Sequence, residues 1–273
     1  MNAAFPALQM PSPGAQLRRS FSSDLLKLRG TAALWLTLLS GAFPVALSLL
    51  IYYFKGQYLL KPGQNPWQAY VLQSWQTASG LLLPLFVVLL TSLLLNIENK
   101  ASAWKHLYAQ PVGRGALFAS KLGLLLGLNA LAQVVYAGLL AASGLLLGLL
   151  RPELHFLDHA LPLGPLLVLL GHTFVATLGL LAIQFIASLW WRSFVAPVAL
   201  GLGATIAALT LMRWEYISWV PYAAPLLSLR AIAHTQSALA VNGALAASEW
   251  RSLGWFAVVL TLGYGLLRRR HEA

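Results

Sequence analysis

The chain has 273 residues, 59% of them apolar and only 9% charged, with a formal net charge of +11 and no cysteine. A soluble domain carries about a quarter charged residues, so this composition excludes an ordinary soluble fold, and the absence of cysteine excludes disulfides, thiol chemistry and cysteine metal sites. The basic excess sits largely at the ends of apolar runs, where it reports orientation in a bilayer rather than affinity for nucleic acid.

Residues 1–17 contain three prolines and lack the basic start of a signal peptide, so a loose tail is expected there. Residues 18–30 are expected to form a short interfacial helix on the cytoplasmic side. Ser23 is its expected cap, with Asp24 in the first turn. Leu25, Leu26 and Leu28 would face lipid, and Arg18, Arg19, Lys27 and Arg29 would face headgroups. A plain basic flank to the first span is the simpler alternative.

Residues 31–270 then hold six apolar runs long enough to cross a bilayer, which takes roughly 20 residues of helix. They are expected at Thr31–Phe54, Thr77–Leu95, Leu122–Leu150, Leu163–Trp190, Phe194–Met212 and Leu253–Leu267. The fold class is therefore an all-α polytopic membrane protein with six transmembrane helices. Pro44, Pro84 and Pro197 should kink their helices, because each removes one backbone donor.

Lysine and arginine counts set the topology. The N-terminal flank, the interval 96–121, the link at Arg192 and the C-terminal end hold twelve of them; the alternate loops hold six, together with Glu153, Asp158, Glu215 and Glu249. Both termini and the interval 96–121 are thus expected in the cytoplasm.

That interval, NIENKASAWKHLYAQPVGRGALFASK, is the longest polar stretch between two apolar runs. Trp104, Leu107 and Tyr108 at i, i+3, i+4 give Ser102–Gln110 an amphipathic helical face, and Pro111 ends it. The bland reading is a charged loop beside a membrane. The sharper one is a docking element for a soluble partner.

The interval 213–251 lies outside by topology yet is largely apolar. Trp214, Tyr216, Trp219 and Tyr222 form an aromatic group of the interfacial kind, with Pro221 and Pro225 interrupting it. Two short re-entrant segments are expected; a loop packed on the outer surface is the alternative.

No set of residues suggests catalysis. Gly115–Lys121 has the wrong spacing for a phosphate-binding loop, and no HExxH, GxSxG or cysteine pair occurs. Acids lie mainly in loops and flanks, unlike those of a carboxylate-driven pump. The polar residues within spans are mild. Asn129 and Gln133 share one face of the third span; Thr173, Thr177 and Gln184 share one face of the fourth, with His172 adjacent. They can hydrogen-bond between helices or line a substrate pathway. Gly123, Gly127, Gly144 and Gly148 have the small-xxx-small spacing that permits close helix contact.

With six spans, both ends inside, a helix before the first span and the segment E-x5-W-K-x-L-x3-P-V-x-R, the chain resembles the permease subunits of type-2 ABC exporters, and within them the lantibiotic-immunity and bacitracin-resistance branch. Glu98, Trp104, Lys105, Leu107, Pro111, Val112 and Arg114 carry the motif. The resemblance implies the type-2 exporter permease fold in a prokaryotic plasma or inner membrane. It makes 96–121, with Glu98, Trp104, Lys105, Leu107, Tyr108, Pro111 and Arg114, the coupling segment seated on a separate ATP-binding subunit. That subunit would bind ATP and magnesium, so no cofactor is expected in this chain. A second permease, identical or related, is implied, and export of a drug, antimicrobial peptide, lipid or polysaccharide. The outer re-entrant region would include Trp219, Pro221, Tyr222 and Pro225. The alternatives are an ATP-independent carrier or channel, a scaffold subunit, and an intramembrane enzyme. A carrier would show an inverted repeat, and an enzyme would show a nucleophile or ligands converging at one depth; neither is visible.

Overall fold

The computed structural model describes residues 12–60, 63–100, 114–191, 193–235 and 244–270, and among them there is no strand. Trp104, Lys105, Leu107, Tyr108 and Pro111 lie outside the described residues. Glu98 and Arg114 are described only as helix positions.

Helix α1 spans Pro13–Lys27, with Ser12 before it and Pro13 at its start. Proline at the first helical position loses nothing, since its missing N–H would have had no partner. The cap expected at Ser23 is therefore corrected: Ser23 lies exposed well inside the helix. Ser20, Asp24 and Leu28 are buried at i, i+4, i+8 and lay α1 along the third span. Leu25 and Leu26 stay exposed on the other side, whereas Leu28 turns inward, against expectation.

Gly30 takes a positive φ of 74° and turns the chain into the first span. That span is two helices, α2 (Ala32–Leu39) and α3 (Ala42–Leu59). Thr31 caps α2, its hydroxyl oxygen accepting from Leu34 N–H at 3.4 Å. The break at Ser40–Gly41 lies one turn before Pro44, which has no N–H for the Ser40 carbonyl.

The second span starts at Pro66, well before the expected Thr77. It comprises α4 (Pro66–Thr77), a π-turn (Ala78–Leu82) and α5 (Leu83–Lys100). Gln68, Gln73 and Gln76 dilute the hydropathy of α4, but Trp67, Tyr70, Val71, Ser74 and Trp75 form a buried i, i+3, i+4, i+7, i+8 stripe. Pro84 cannot donate to Gly80, and the turn widens there, Leu83 N–H bonding the Ala78 carbonyl instead.

Helix α6 covers Arg114–Leu150 and ends where expected. Its 37 residues reach about 55 Å, well beyond the hydrocarbon core, so its first turns run beside α1. Helix α7 (Leu163–Trp190) matches its expected bounds, and α8 (Val195–Thr210) is short for a span. A single 3-10 turn (Ile217–Trp219) and helix α9 (Ala224–Thr235) follow, then α10 (Ala247–Arg270). Helix α7 is the hub, packed on α5, α6, α8, α9 and α10.

The third-span glycines divide. A Cβ at Gly127 would meet nothing within 4 Å, and at Gly123 only Phe21 at 3.8 Å, so this pair makes no close helix contact within the chain. At Gly144 a Cβ would run into the Trp67 ring, and at Gly148 it would lie 2.8 Å from Leu157. The closest backbone approach is at Gly41, where a Cβ would sit 2.9 Å from Tyr136 Cα. Gly144→Leu is expected to cost about 1–3 kcal/mol by overpacking, read as a lower melting temperature in detergent, while Gly127→Leu should melt like the parent. Equal melting of the two variants would overturn this assignment.

Candidate functional site

The polar residues of the third and fourth spans form one directed chain. Thr177 spends its hydroxyl proton on the Phe174 carbonyl at 2.7 Å, so its oxygen is left to accept. Asn129 donates to it from Nδ2 at 3.0 Å. That fixes Asn129 Oδ1 as the acceptor for Gln133 Nε2, at 3.4 Å. The amide oxygen of Gln133 is left over, buried and with no donor among the described residues. Thr173 is on the same face, donating to the Leu169 carbonyl at 2.7 Å and accepting from Trp75 Nε1 at 2.8 Å. Helical spacing places these residues together; it misses Trp75, because α4 reads as a loop on hydropathy alone.

Gln133 and Thr173 open on a cavity of about 40 Å³ at the two broken helices. Ser40, Gly41 and Pro44 line it from the break in the first span, Ser79 and Leu82 from the π-turn. Gln184 belongs elsewhere. It meets the Tyr222 hydroxyl at 2.7 Å, joining α7 to the segment before α9. Tyr222, Pro221 and Pro225 are buried there, while Trp219 is exposed and its ring lies 4.9 Å from the Arg251 guanidinium. Of the two expected re-entrant segments, one helix, α9, is described, packed against α4, the π-turn, α7 and α10.

Two acids, expected in loops and flanks, are buried. Glu249 is fully buried at the N-terminus of α10. Its carboxylate accepts from His172 Nδ1 at 2.9 Å, from Ala246 N–H at 2.7 Å, and from the Ser228 hydroxyl. The Ala246 contact is half of a capping box, Glu249 being the third residue of the helix. A carboxylate here also meets the positive end of the helix dipole. Ser228 bonds the acid and not the histidine, so the trio lacks the serine–histidine contact that activates a nucleophile. The sequence signal is the A-x-x-E spacing at the start of α10, without the capping hydroxyl that usually announces it.

Asp24 is the second. It lies 3.5 Å from Lys121 Nζ and accepts from Ser120 Oγ at 2.8 Å, with both charged groups buried. This pair ties α1 to the entrance of the third span. His155 and Asp158, 2.7 Å apart, are exposed. Among the described residues no group of three His, Cys, Asp or Glu could hold a metal ion.

Among the described residues, five helical stretches long and apolar enough to cross a membrane, and a further apolar helix of 16 residues, define a multi-pass helical membrane protein. A family model described as ABC-2 family transporter protein matches residues 21–208, and the chain belongs to that family. No curated protein matches it.

Proposed function

We propose that the chain is the permease subunit of an ATP-driven exporter in a prokaryotic plasma membrane. It would work as a dimer with a separate ATP-binding subunit that holds ATP and magnesium. The family match carries the reading, because residues 21–208 take in the first five apolar helices and the polar interval between α5 and α6. The motif from Glu98 to Arg114 supports the lantibiotic-immunity and bacitracin-resistance branch and a coupling role for that interval. The cargo class is a drug, an antimicrobial peptide, a lipid or a polysaccharide.

Copurification tests this. An ATP-binding-cassette protein encoded beside the permease is expected to purify with it and to hydrolyse ATP faster in its presence. A proton-coupled carrier is the second reading, favoured by the buried Glu249. Transport that persists in ATP-depleted vesicles with no ATPase attached would establish that reading instead.

The orientation has its own test in a chain without cysteine. A membrane-impermeant thiol reagent added to intact cells should label Gln64→Cys, in the loop before α4, and spare Ser102→Cys. The reverse pattern would place both termini outside.

A further inference from the structure

We infer that the cavity between the broken first and second spans binds an uncharged hydrogen-bond donor, a hydroxyl or amide N–H, at the head of an apolar molecule. Three buried polar side-chain atoms of its lining have no partner among the described residues: Gln133 Oε1, Tyr136 Oη and Ser79 Oγ. Gln133 and Ser79 are 3% and 1% exposed. Ser74, Ser92 and Ser188 are in the same condition, but none lines this cavity.

The demand has a direction. The chain running from Thr177 through Asn129 turns the Gln133 amide so that its oxygen, not its nitrogen, is spare. The Ser40 carbonyl is deprived of its helical donor by Pro44, and Ser40 lies at the same cavity. One fixed acceptor, Gln133 Oε1, beside two hydroxyls that can accept or donate calls for a donor. Each buried unpaired group costs about 1–3 kcal/mol, and this cavity gathers three of them in one place.

Charge and shape narrow the class. Among the described residues no carboxylate lines the cavity, so a cation would enter without a counter-charge, which is costly. Pro44, Leu82, Leu83 and Phe86 give apolar walls for the rest of the molecule. The volume admits a head group rather than a whole drug. The lining comes from one chain and does not need a second copy. Naming the occupant as cargo rests on the transport reading; the binding itself does not.

The test uses the full-length permease alone, in phosphatidylcholine nanodiscs. The probe is an octanol bearing a photoactivatable diazirine, with its methyl ether as the comparison and labelled peptides identified by mass spectrometry. The alcohol should label residues 40–44, 79–86 and 132–136 saturably, and the ether roughly fivefold less, the weight of one net hydrogen bond. Gln133→Leu should lower labelling by the alcohol to the level of the ether. Tyr136→Phe and Ser79→Ala, which remove one hydroxyl each and little volume, should lower it if Gln133→Leu does not fold. An unlabelled diacylglycerol and an unlabelled N-alkylamide separate a lipid source from a peptide-like one, whichever displaces the probe. Equal labelling by alcohol and ether, unchanged labelling in the folded variants, or displacement by neither competitor would overturn the proposal. Labelling needs no ATPase, so a positive result beside failed copurification would reject the exporter and keep the site.

Discussion

Replacing Glu249 with alanine is expected to destabilise the protein by about 3 kcal/mol or more, since each buried polar group left without its partner costs about 1–3 kcal/mol. The alanine leaves two buried donors, His172 Nδ1–H and the Ser228 hydroxyl, and the half-buried Ala246 N–H facing no acceptor. It also removes the negative charge from the start of α10. Three elements lose their common anchor together, since His172 is on α7, Ser228 on α9 and Glu249 on α10. Ser228→Ala, which removes a single hydroxyl, should cost about 1 kcal/mol. Thermal melting in detergent, followed by the loss of monodisperse protein, would rank the two variants. If Glu249→Ala melted with Ser228→Ala, the carboxylate would not be the anchor described.

Trp104→Ala combined with Leu107→Ala is expected to abolish transport while leaving the permease inserted and folded. In the proposed exporter, conformational work would reach the permease through contact with an ATP-binding partner, and a partner shifts an equilibrium only by its different affinity for the two states. Trp104 and Leu107 share the apolar face of a short segment between α5 and α6 in the sequence. Truncating a buried aromatic in a small interface costs about 2 kcal/mol or more, enough to weaken the complex at least tenfold. Pull-down of the ATPase beside a resistance or export assay, at matched expression, separates lost binding from lost coupling. Full transport by the double variant would reduce the interval 96–121 to a charged loop.

The spans are legible in the sequence because their signal is length and hydropathy. The fourth matches residue for residue, and the third at its C-terminal end. The second does not, because its outer half is held by buried aromatics among glutamines, a stripe that an average over hydropathy dilutes. The seam of Asn129, Gln133 and Thr177 is legible from helical spacing within each span. Its link to Trp75 is not, since that contact joins residues 98 apart. Glycine spacing does not distinguish Gly127, which is open within the chain, from Gly144, which meets Trp67, because close packing depends on the facing residue and the pattern says nothing about that residue. Charge counting assigns Glu249 to a loop; its burial depends on how α9 folds back against α7, which no local pattern encodes.

The π-turn at Ala78–Leu82 sets an angular phase. Each residue of an α-helix advances the side chains by about 100° around the axis, and a turn closed by an i to i+5 bond holds one residue more than an α-turn. The outer half of the second span is therefore rotated by about that angle from where an unbroken helix would put it. Only in this phase do Trp67 and Trp75 face the third and fourth spans, one against Gly144 and the other against Thr173. Tightening this turn by one residue would swing both indoles away from their partners while the inner half stayed seated. Ala78, Ser79 and Leu82 also line the cavity, so the same step would reshape its wall. The second span thus works like two dials on one shaft, with the indexing notch at Gly80.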